Sequence, residues 1–100
     1  MKKPESLLKR KIMAELGGVR HSWFERIEQS SINGTPDILG CIDGMFIALE
    51  AKTDDNSHPT KLQAFKLRSI NDAGGIGLCV RPSNWPEVLN QLHNISRRKR

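Results

Sequence analysis

A short segment near the middle of the chain decides the fold. Residues 36–52 have the sequence PDILGCIDGMFIALEAK, in which two apolar runs flank the pair Asp43-Gly44. Asp-Gly between two such runs is a strong signal for a two-residue hairpin turn, because both central residues of that turn need a positive φ. The segment therefore predicts a β-hairpin with strands over residues 37–42 and 45–52.

The same turn predicts the register of the hairpin. If these two residues form the loop, Ile42 opposes Met45, and each further step pairs one residue from each strand. Side chains alternate along a strand, so every second pair lies on the same face. The pairs on one face are Cys41 with Phe46, Leu39 with Ala48, and Asp37 with Glu50.

The pair of carboxylates at the end of this face needs a counter-charge. Directly opposed residues have Cβ atoms about 4.5–5.5 Å apart, and like charges there are destabilising. A cation or a shared proton between Asp37 and Glu50 removes the repulsion, and oxygen ligands suit a hard ion such as Mg²⁺ or Mn²⁺. Residues 45–49 are apolar on both faces, which favours a covered strand and a metal site over a solvated hairpin end. Lys52 projects to the same face as Glu50.

The other elements follow from hydrophobic periodicity and from glycine and proline signals. Helices are predicted over residues 5–16 and 60–73, the second ending at Gly74-Gly75, and a last helix begins after Ser83 or Asn84. Short strands are predicted over residues 21–27 and 76–80. The order is α-β-β-β-α-β-α in an α/β domain.

Composition limits the class of protein. The chain has 100 residues, a net charge of +5 and 37% hydrophobic residues, which fits one small globular domain over residues 1–96. We expect no membrane span and no secretory signal, and therefore a cytoplasmic protein. In that reducing compartment Cys41 and Cys79, both within apolar runs, are expected to be buried free thiols.

The positive charge is concentrated at the C-terminus. Residues 97–100 carry four of the sixteen basic residues, and the other 96 residues hold 12 basic against 11 acidic residues. A basic tail binds phosphates without regard to sequence when the partner is a nucleic acid. The alternative is a C-terminus that only aids solubility.

Two further polar residues are candidates for the site. On a helical wheel Glu5 lies at the N-terminal end of the stripe formed by Leu8, Ile12 and Leu16, whereas Glu15 lies at its edge and is the weaker candidate. Gln63 shares one line of the second predicted helix with Lys66 and Ile70, facing either the sheet or a nucleic-acid strand. The histidines at positions 21, 58 and 93 lie in different contexts and are not expected to form a site.

These residues resemble a known nuclease motif. Pro36-Asp37, a gap of thirteen residues, and then Glu50-Ala51-Lys52 are similar to the PD-(D/E)XK pattern. With Gly34-Thr35 before it and Gln63 after it, nearly the whole chain resembles a stand-alone VRR-NUC domain. That is the virus-type replication-repair nuclease branch of the superfamily, similar to Holliday junction resolvases.

The resemblance implies a fold, a cofactor and a set of site residues. The fold would be a restriction-endonuclease-like core with a mixed central sheet flanked by helices. Asp37, Glu50 and the main-chain carbonyl of Ala51 would bind Mg²⁺ or Mn²⁺, and Lys52 would orient or activate the attacking water. Glu5 and Gln63 would complete the catalytic set.

The implied activity is hydrolysis of phosphodiester bonds by a metal-dependent endodeoxyribonuclease. Branched DNA is the expected substrate, a homodimer the expected assembly, and no membrane or small-molecule cofactor is expected. The residues expected to bind DNA are Lys61, Lys66, Arg97, Arg98, Lys99 and Arg100. Two departures from the family are that residues 29–34 lack arginines and that residues 54–57 are acidic, so we expect the latter loop to point away from DNA or to move.

Three alternatives remain open at this point. One is a PD-(D/E)XK nuclease that cuts flap or duplex DNA. Another is a non-catalytic DNA-binding module of the same fold, which would have no use for a pair of opposed carboxylates. The third is a structural metal site without a nucleic-acid partner, against which a pI of 9.6 argues.

Overall fold

The computed structural model describes residues 4–28 and 32–96, and the basic tail lies outside them. The elements are α1 (Pro4–Leu16), β1 (Ser22–Arg26), β2 (Ile38–Ile42), β3 (Met45–Ala51), α2 (Lys61–Asp72), β4 (Ile76–Val80) and α3 (Trp85–Ile95). The predicted order α-β-β-β-α-β-α is confirmed, and every boundary lies within two residues of its prediction.

The central hairpin has the predicted turn and the predicted register. Asp43 has a φ of 50° and Gly44 a φ of 86°, so both central residues have the positive φ that a two-residue turn requires. The pairs Ile42–Met45, Cys41–Phe46 and Leu39–Ala48 all form. This register brings the start of β2 next to the end of β3, where Asp37 and Glu50 lie.

The sheet is mixed, as predicted. Its strand order is β1-β2-β3-β4, with β1–β2 and β2–β3 antiparallel and β3–β4 parallel. The parallel pair requires a crossover, and α2 provides it. The structure is therefore a compact α/β fold with a four-stranded mixed sheet and three helices.

One face of the sheet carries the main core. Helices α1 and α3 cover this face, and their apolar side chains pack on those of the two central strands. The fully buried members include Ile12, Leu16, Ile38, Ile42, Ile47, Leu49, Val80, Trp85 and Leu92. Burial of this apolar stripe is the main source of stability in a domain of this size.

Helix α2 covers only half of the opposite face. It packs closely on β4, where a Cβ at Gly77 would lie 2.9 Å from the carbonyl oxygen of Leu67, so only glycine allows this approach. The half formed by β1 and β2 lacks such cover, and Trp23 and Cys41 are exposed there. The thiols are free as expected, but the expected burial is wrong for both: Cys41 is exposed because α2 does not reach its strand, and Cys79 is only half-buried.

Among the described residues, none of the helices combines the length and the apolar character needed to cross a bilayer.

Candidate functional site

The predicted site residues meet at one end of the sheet. Asp37 directly precedes β2, Glu50 is the penultimate residue of β3, and Lys52 directly follows that strand. The N-terminal turns of α1 and α2 supply Glu5 and Gln63 from either side. The hairpin register explains this arrangement, because it places the first residue before β2 opposite the end of β3.

Asp37 is held in place by the backbone of the neighbouring strands. Its Oδ2 accepts a hydrogen bond of 2.8 Å from the backbone N–H of Ala51, and its carbonyl accepts one of 2.7 Å from Ile27. One carboxylate oxygen is therefore committed to the strand. The other, Oδ1, faces α1.

Glu50 is the one polar residue in the buried set of the described chain. The residue is 3% exposed, and its Oε2 accepts a hydrogen bond of 3.1 Å from Nε2 of Gln63. The same oxygen lies 3.6 Å from Nζ of Lys52. Its other oxygen, Oε1, is buried and has no hydrogen-bond partner among the described residues. Such an atom is costly unless something binds it.

The surroundings of Glu50 favour its neutral form in the absence of a metal. Burial raises the pKa of Glu50 to about 7, and the negative charge of Asp37 adds to this rise. The ammonium groups of Lys52 and Lys9 oppose it. A carboxyl group with a pKa near 7 is a common feature of functional sites, since bound cations or substrates shift its ionisation.

Gln63 connects the start of α2 to this carboxylate. Its side-chain Oε1 accepts a hydrogen bond of 2.9 Å from the backbone N–H of Thr60. Its backbone N–H donates a hydrogen bond of 3.1 Å to Oγ1 of Thr60, and the two bonds together form a capping box. With Oε1 used in this way, Nε2 points to Glu50. The helix cap thus fixes the orientation of the side-chain amide.

Lys9 is a site residue that the sequence reasoning missed. Its Nζ lies 3.1 Å from Oε1 of Glu5 and 3.2 Å from Oδ1 of Asp37. Burial alone would lower the pKa of Lys9, but hydrogen bonds and charge interactions with these carboxylates raise it overall. The available signal was the spacing of four residues from Glu5, which is common on helix surfaces and carries little information.

Glu5 differs from its prediction in burial. We expected it on the buried stripe of α1, but its side chain is 55% exposed. Glu5 lines an open cleft instead of the core. Glu15 accepts a hydrogen bond of 3.2 Å from the indole Nε1 of Trp85, which gives this weaker candidate a structural role.

A cleft of about 350 Å³ opens beside the carboxylates. It is lined by Glu5, Ala51, Lys52, Thr53, Ser57 and His58. His58, which the sequence did not assign to a site, therefore lines the same cleft as Lys52. The cleft provides room for a polar ligand beside Ala51 and Lys52.

The acidic loop after β3 is folded back on itself. Oδ1 of Asp54 accepts hydrogen bonds from Ser57 and from the backbone N–H of Asn56, and these bonds lower its pKa. The Arg81 guanidinium donates to the carbonyls of Asp54 and Ser57, at 3.2 and 2.8 Å. Asp54 is thus engaged within the loop, while Ser57 faces the cleft.

Of the residues predicted to bind DNA, the structure describes Lys61 and Lys66. Lys61 is exposed at the start of α2, and the Nζ of Lys66 donates to the carbonyl of Asn33, which ties α2 to the loop before β2. The predicted contacts at residues 97–100 lie outside the described residues.

The donor set at the site fits a hard cation. The described residues contain no group of three or more His, Cys, Asp or Glu side chains arranged to hold a metal ion. A smaller set, the one that the motif implies, would consist of Asp37, Glu50 and the main-chain carbonyl of Ala51. The buried, unpartnered Oε1 of Glu50 supports this set, because hard ions such as Mg²⁺ bind one or two carboxylates and fill the remaining positions with water or phosphate.

Comparison of the chain with protein-family models, with curated proteins and with solved structures gave no match. The case for a function therefore depends on the residues of the site and on the motif that they form.

Proposed function

We propose that the protein is a Mg²⁺- or Mn²⁺-dependent endodeoxyribonuclease with a PD-(D/E)XK core of the VRR-NUC type. The observation that carries the proposal is the meeting of Asp37, Glu50 and Lys52 at one end of the sheet, with an unpartnered oxygen on the buried Glu50. A structural role alone does not explain this group, since two opposed carboxylates and an orphaned oxygen destabilise the fold.

Asp37, Glu50 and the carbonyl of Ala51 would hold the metal ion. When bound, such an ion supplies a Lewis acid that polarises a phosphoryl oxygen and lowers the pKa of a water. The protein prepares this site by fixing both carboxylates, Asp37 through the N–H of Ala51 and Glu50 through Gln63.

Lys52 would act on the substrate side of the site. Its ammonium lies 3.6 Å from Glu50 and lines the cleft, so it can reach a phosphate or an attacking water there. As a cation it cannot be a metal ligand. As an ammonium its expected role is to orient the water or to stabilise the negative charge that develops on the phosphate, and only as a neutral amine could it accept the proton of the water.

A branched DNA substrate and a homodimer form the finer part of the proposal. A four-way junction has two equivalent strands to cut, and a two-fold dimer supplies two active sites. The open half of the sheet offers a surface for a second copy, because the register places Trp23, Cys41 and Phe46 in one exposed row. Two other aromatic residues considered for this interface are less available, because Trp85 is 1% exposed and Phe24 is partly buried against the core.

The function is tested by incubating labelled four-way junction, flap, duplex and single-stranded DNA with the protein in Mg²⁺, Mn²⁺ or EDTA. We expect metal-dependent cleavage of the junction and none in EDTA. The matched control is Glu50→Gln purified in the same way, which should bind the DNA without cutting it. Cleavage by this variant at the wild-type rate would refute the proposal, and binding without cleavage by the wild type would favour the non-catalytic module. Cleavage restricted to flap or duplex DNA would refute only the substrate preference.

The dimer is tested separately by light scattering on the wild type and on Phe46→Glu. We expect a dimer for the wild type and a monomer for the variant, because a charge in the apolar row would remain unpaired in the interface. Lys61→Glu, on the exposed start of α2, is the control for a general effect of charge. A monomeric wild type at concentrations where it cleaves DNA would refute the dimer.

A further inference from the structure

One basic side chain lies among the carboxylates of the site without belonging to the predicted set. Nζ of Lys9 lies about equally far from Glu5 and from Asp37, at 3.1 and 3.2 Å. Its side chain is only 15% exposed, and that of Asp37 is 17% exposed. The ammonium is therefore enclosed by the site and not spread over the surface.

The two contacts of Lys9 differ in kind. The contact with Glu5 is an i,i+4 pair on one helix with an exposed partner, and such pairs contribute little on their own. The contact with Asp37 joins α1 to the start of β2, so it depends on the packing of two elements. It also directs the ammonium at Oδ1, the oxygen that the N–H of Ala51 leaves available.

We propose that Lys9 is the resident counter-cation of the metal-free site, and that a divalent ion binds by displacing its ammonium from Asp37. The inference rests on the proposed function, because it assumes that Asp37 is a metal ligand. The physical reason is competition: the ammonium and the ion both require Oδ1 of Asp37, and two cations at such short distance repel each other.

The presence of Lys9 as counter-cation explains how the fold tolerates the opposed carboxylates when no metal is bound. The ammonium of Lys9, 3.2 Å from Oδ1, neutralises part of the charge on Asp37 and so reduces its repulsion with Glu50. The same contact makes metal binding weaker than the carboxylates alone would allow. Removing the charge of Lys9 should therefore tighten metal binding, on the order of 10-fold to 100-fold for a like charge a few ångströms away.

The test is a calorimetric titration of the DNA-free protein with MgCl₂ and with MnCl₂ at pH 7.5. The variants are Lys9→Met, which removes the charge, and Lys9→Arg, which keeps it. Lys11→Met is the matched control, since Lys11 is an exposed lysine on the same helix. We expect tighter binding for Lys9→Met alone, with the wild-type affinity retained by Lys9→Arg and by the control.

A second measurement does not depend on the folding of any variant. The ¹⁵N-detected ammonium signal of Lys9 in the wild type should be visible without metal, since its exchange with water is slowed by the two carboxylates. It should shift or vanish as Mg²⁺ saturates the site, while the ammonium signals of exposed lysines stay unchanged.

The outcomes separate this inference from the proposed function. If the wild type binds and uses metal but Lys9→Met binds it no more tightly, or the Lys9 signal persists unchanged at saturation, the displacement is refuted and the nuclease assignment stands. If the wild type neither binds a divalent ion nor cleaves DNA, both are refuted.

Discussion

Replacing Glu50 with glutamine should stabilise the protein when no divalent metal is present. Glu50→Gln removes a buried negative charge opposite Asp37 but keeps a side-chain oxygen that can accept the hydrogen bond from Gln63. The new amide also carries N–H groups that can donate towards Asp37. The change therefore relieves the electrostatic cost of the site while preserving its shape.

The size of the effect follows from the pKa of Glu50. It rises from an ordinary value of 4.5 to about 7 in the folded protein. At about 1.4 kcal/mol for each pH unit, this rise corresponds to about 3 kcal/mol between the ionised and neutral forms. Above pH 7 the wild type bears this cost in full, and the neutral glutamine does not. The gain for the variant at pH 8 should therefore approach about 3 kcal/mol.

The pH dependence has a defined sign. Between about pH 4.5 and pH 7 the folded protein keeps a proton on Glu50 that the unfolded chain has released. The free energy of unfolding of the wild type therefore decreases as the pH rises through this range. In Glu50→Gln this part of the pH dependence should be missing, so the two proteins should have similar stability near pH 4.5 and differ most near pH 8.

The assay is urea denaturation in EDTA at several pH values, followed by circular dichroism. With a slope of roughly 1–3 kcal/mol per molar urea for a small domain, the midpoint of the variant at pH 8 should lie about 1–3 M above that of the wild type. Glu25→Gln, an exposed glutamate of β1, serves as the control and should change little. Equal or lower stability of Glu50→Gln at pH 8 would refute the view that Glu50 is held in an unfavourable environment.

Three further predictions concern the metal, the reaction and the tail. Asp37→Asn should fold and bind DNA but lose cleavage. In thermal melts, the melting temperature of the wild type should rise on adding Mg²⁺ and that of the variant should hardly change. Equal rises in melting temperature would exclude Asp37 as a metal ligand. Lys52→Ala should keep metal affinity but lose on the order of 10²–10⁴ in single-turnover rate, and a parallel loss of metal affinity would instead make Lys52 a support of the site. Deleting residues 97–100 should weaken binding to every DNA sequence and flatten its salt dependence without slowing the cleavage step, and an unchanged salt slope would exclude the tail from binding.

The hairpin could be predicted from the sequence because its signals are local. Asp43-Gly44 determines the turn, and the alternation of side chains then determines the partner of every residue in both strands. The placement of Asp37 opposite Glu50 follows from this geometry without any knowledge of the rest of the fold. The family resemblance implied only that Gln63 belongs to the site, since helical periodicity left the facing of that side chain open, and its bond to Glu50 was not predicted.

Features that depend on the packing of distant elements could not be predicted. The contact of Lys9 with Asp37 depends on how α1 packs beside the start of β2, and a helical wheel contains no such information. Glu5 is exposed although the wheel places it on the apolar stripe, because the wheel does not show where the covering elements end. The exposure of Cys41 depends on how far α2 extends across the sheet, and an apolar run in the sequence does not reveal which part of a face stays uncovered.

The capping box of α2 restricts which residue position 63 can accept. A glutamate there could still take the N–H of Thr60, but it would have no N–H to give to Glu50 and would bring another negative charge to a buried carboxylate. An alanine would lose both bonds, and an asparagine is one methylene shorter. Glutamine alone combines an acceptor for the helix with a donor for the site. The beginning of a helix and the alignment of a buried carboxylate therefore depend on the two ends of one amide group.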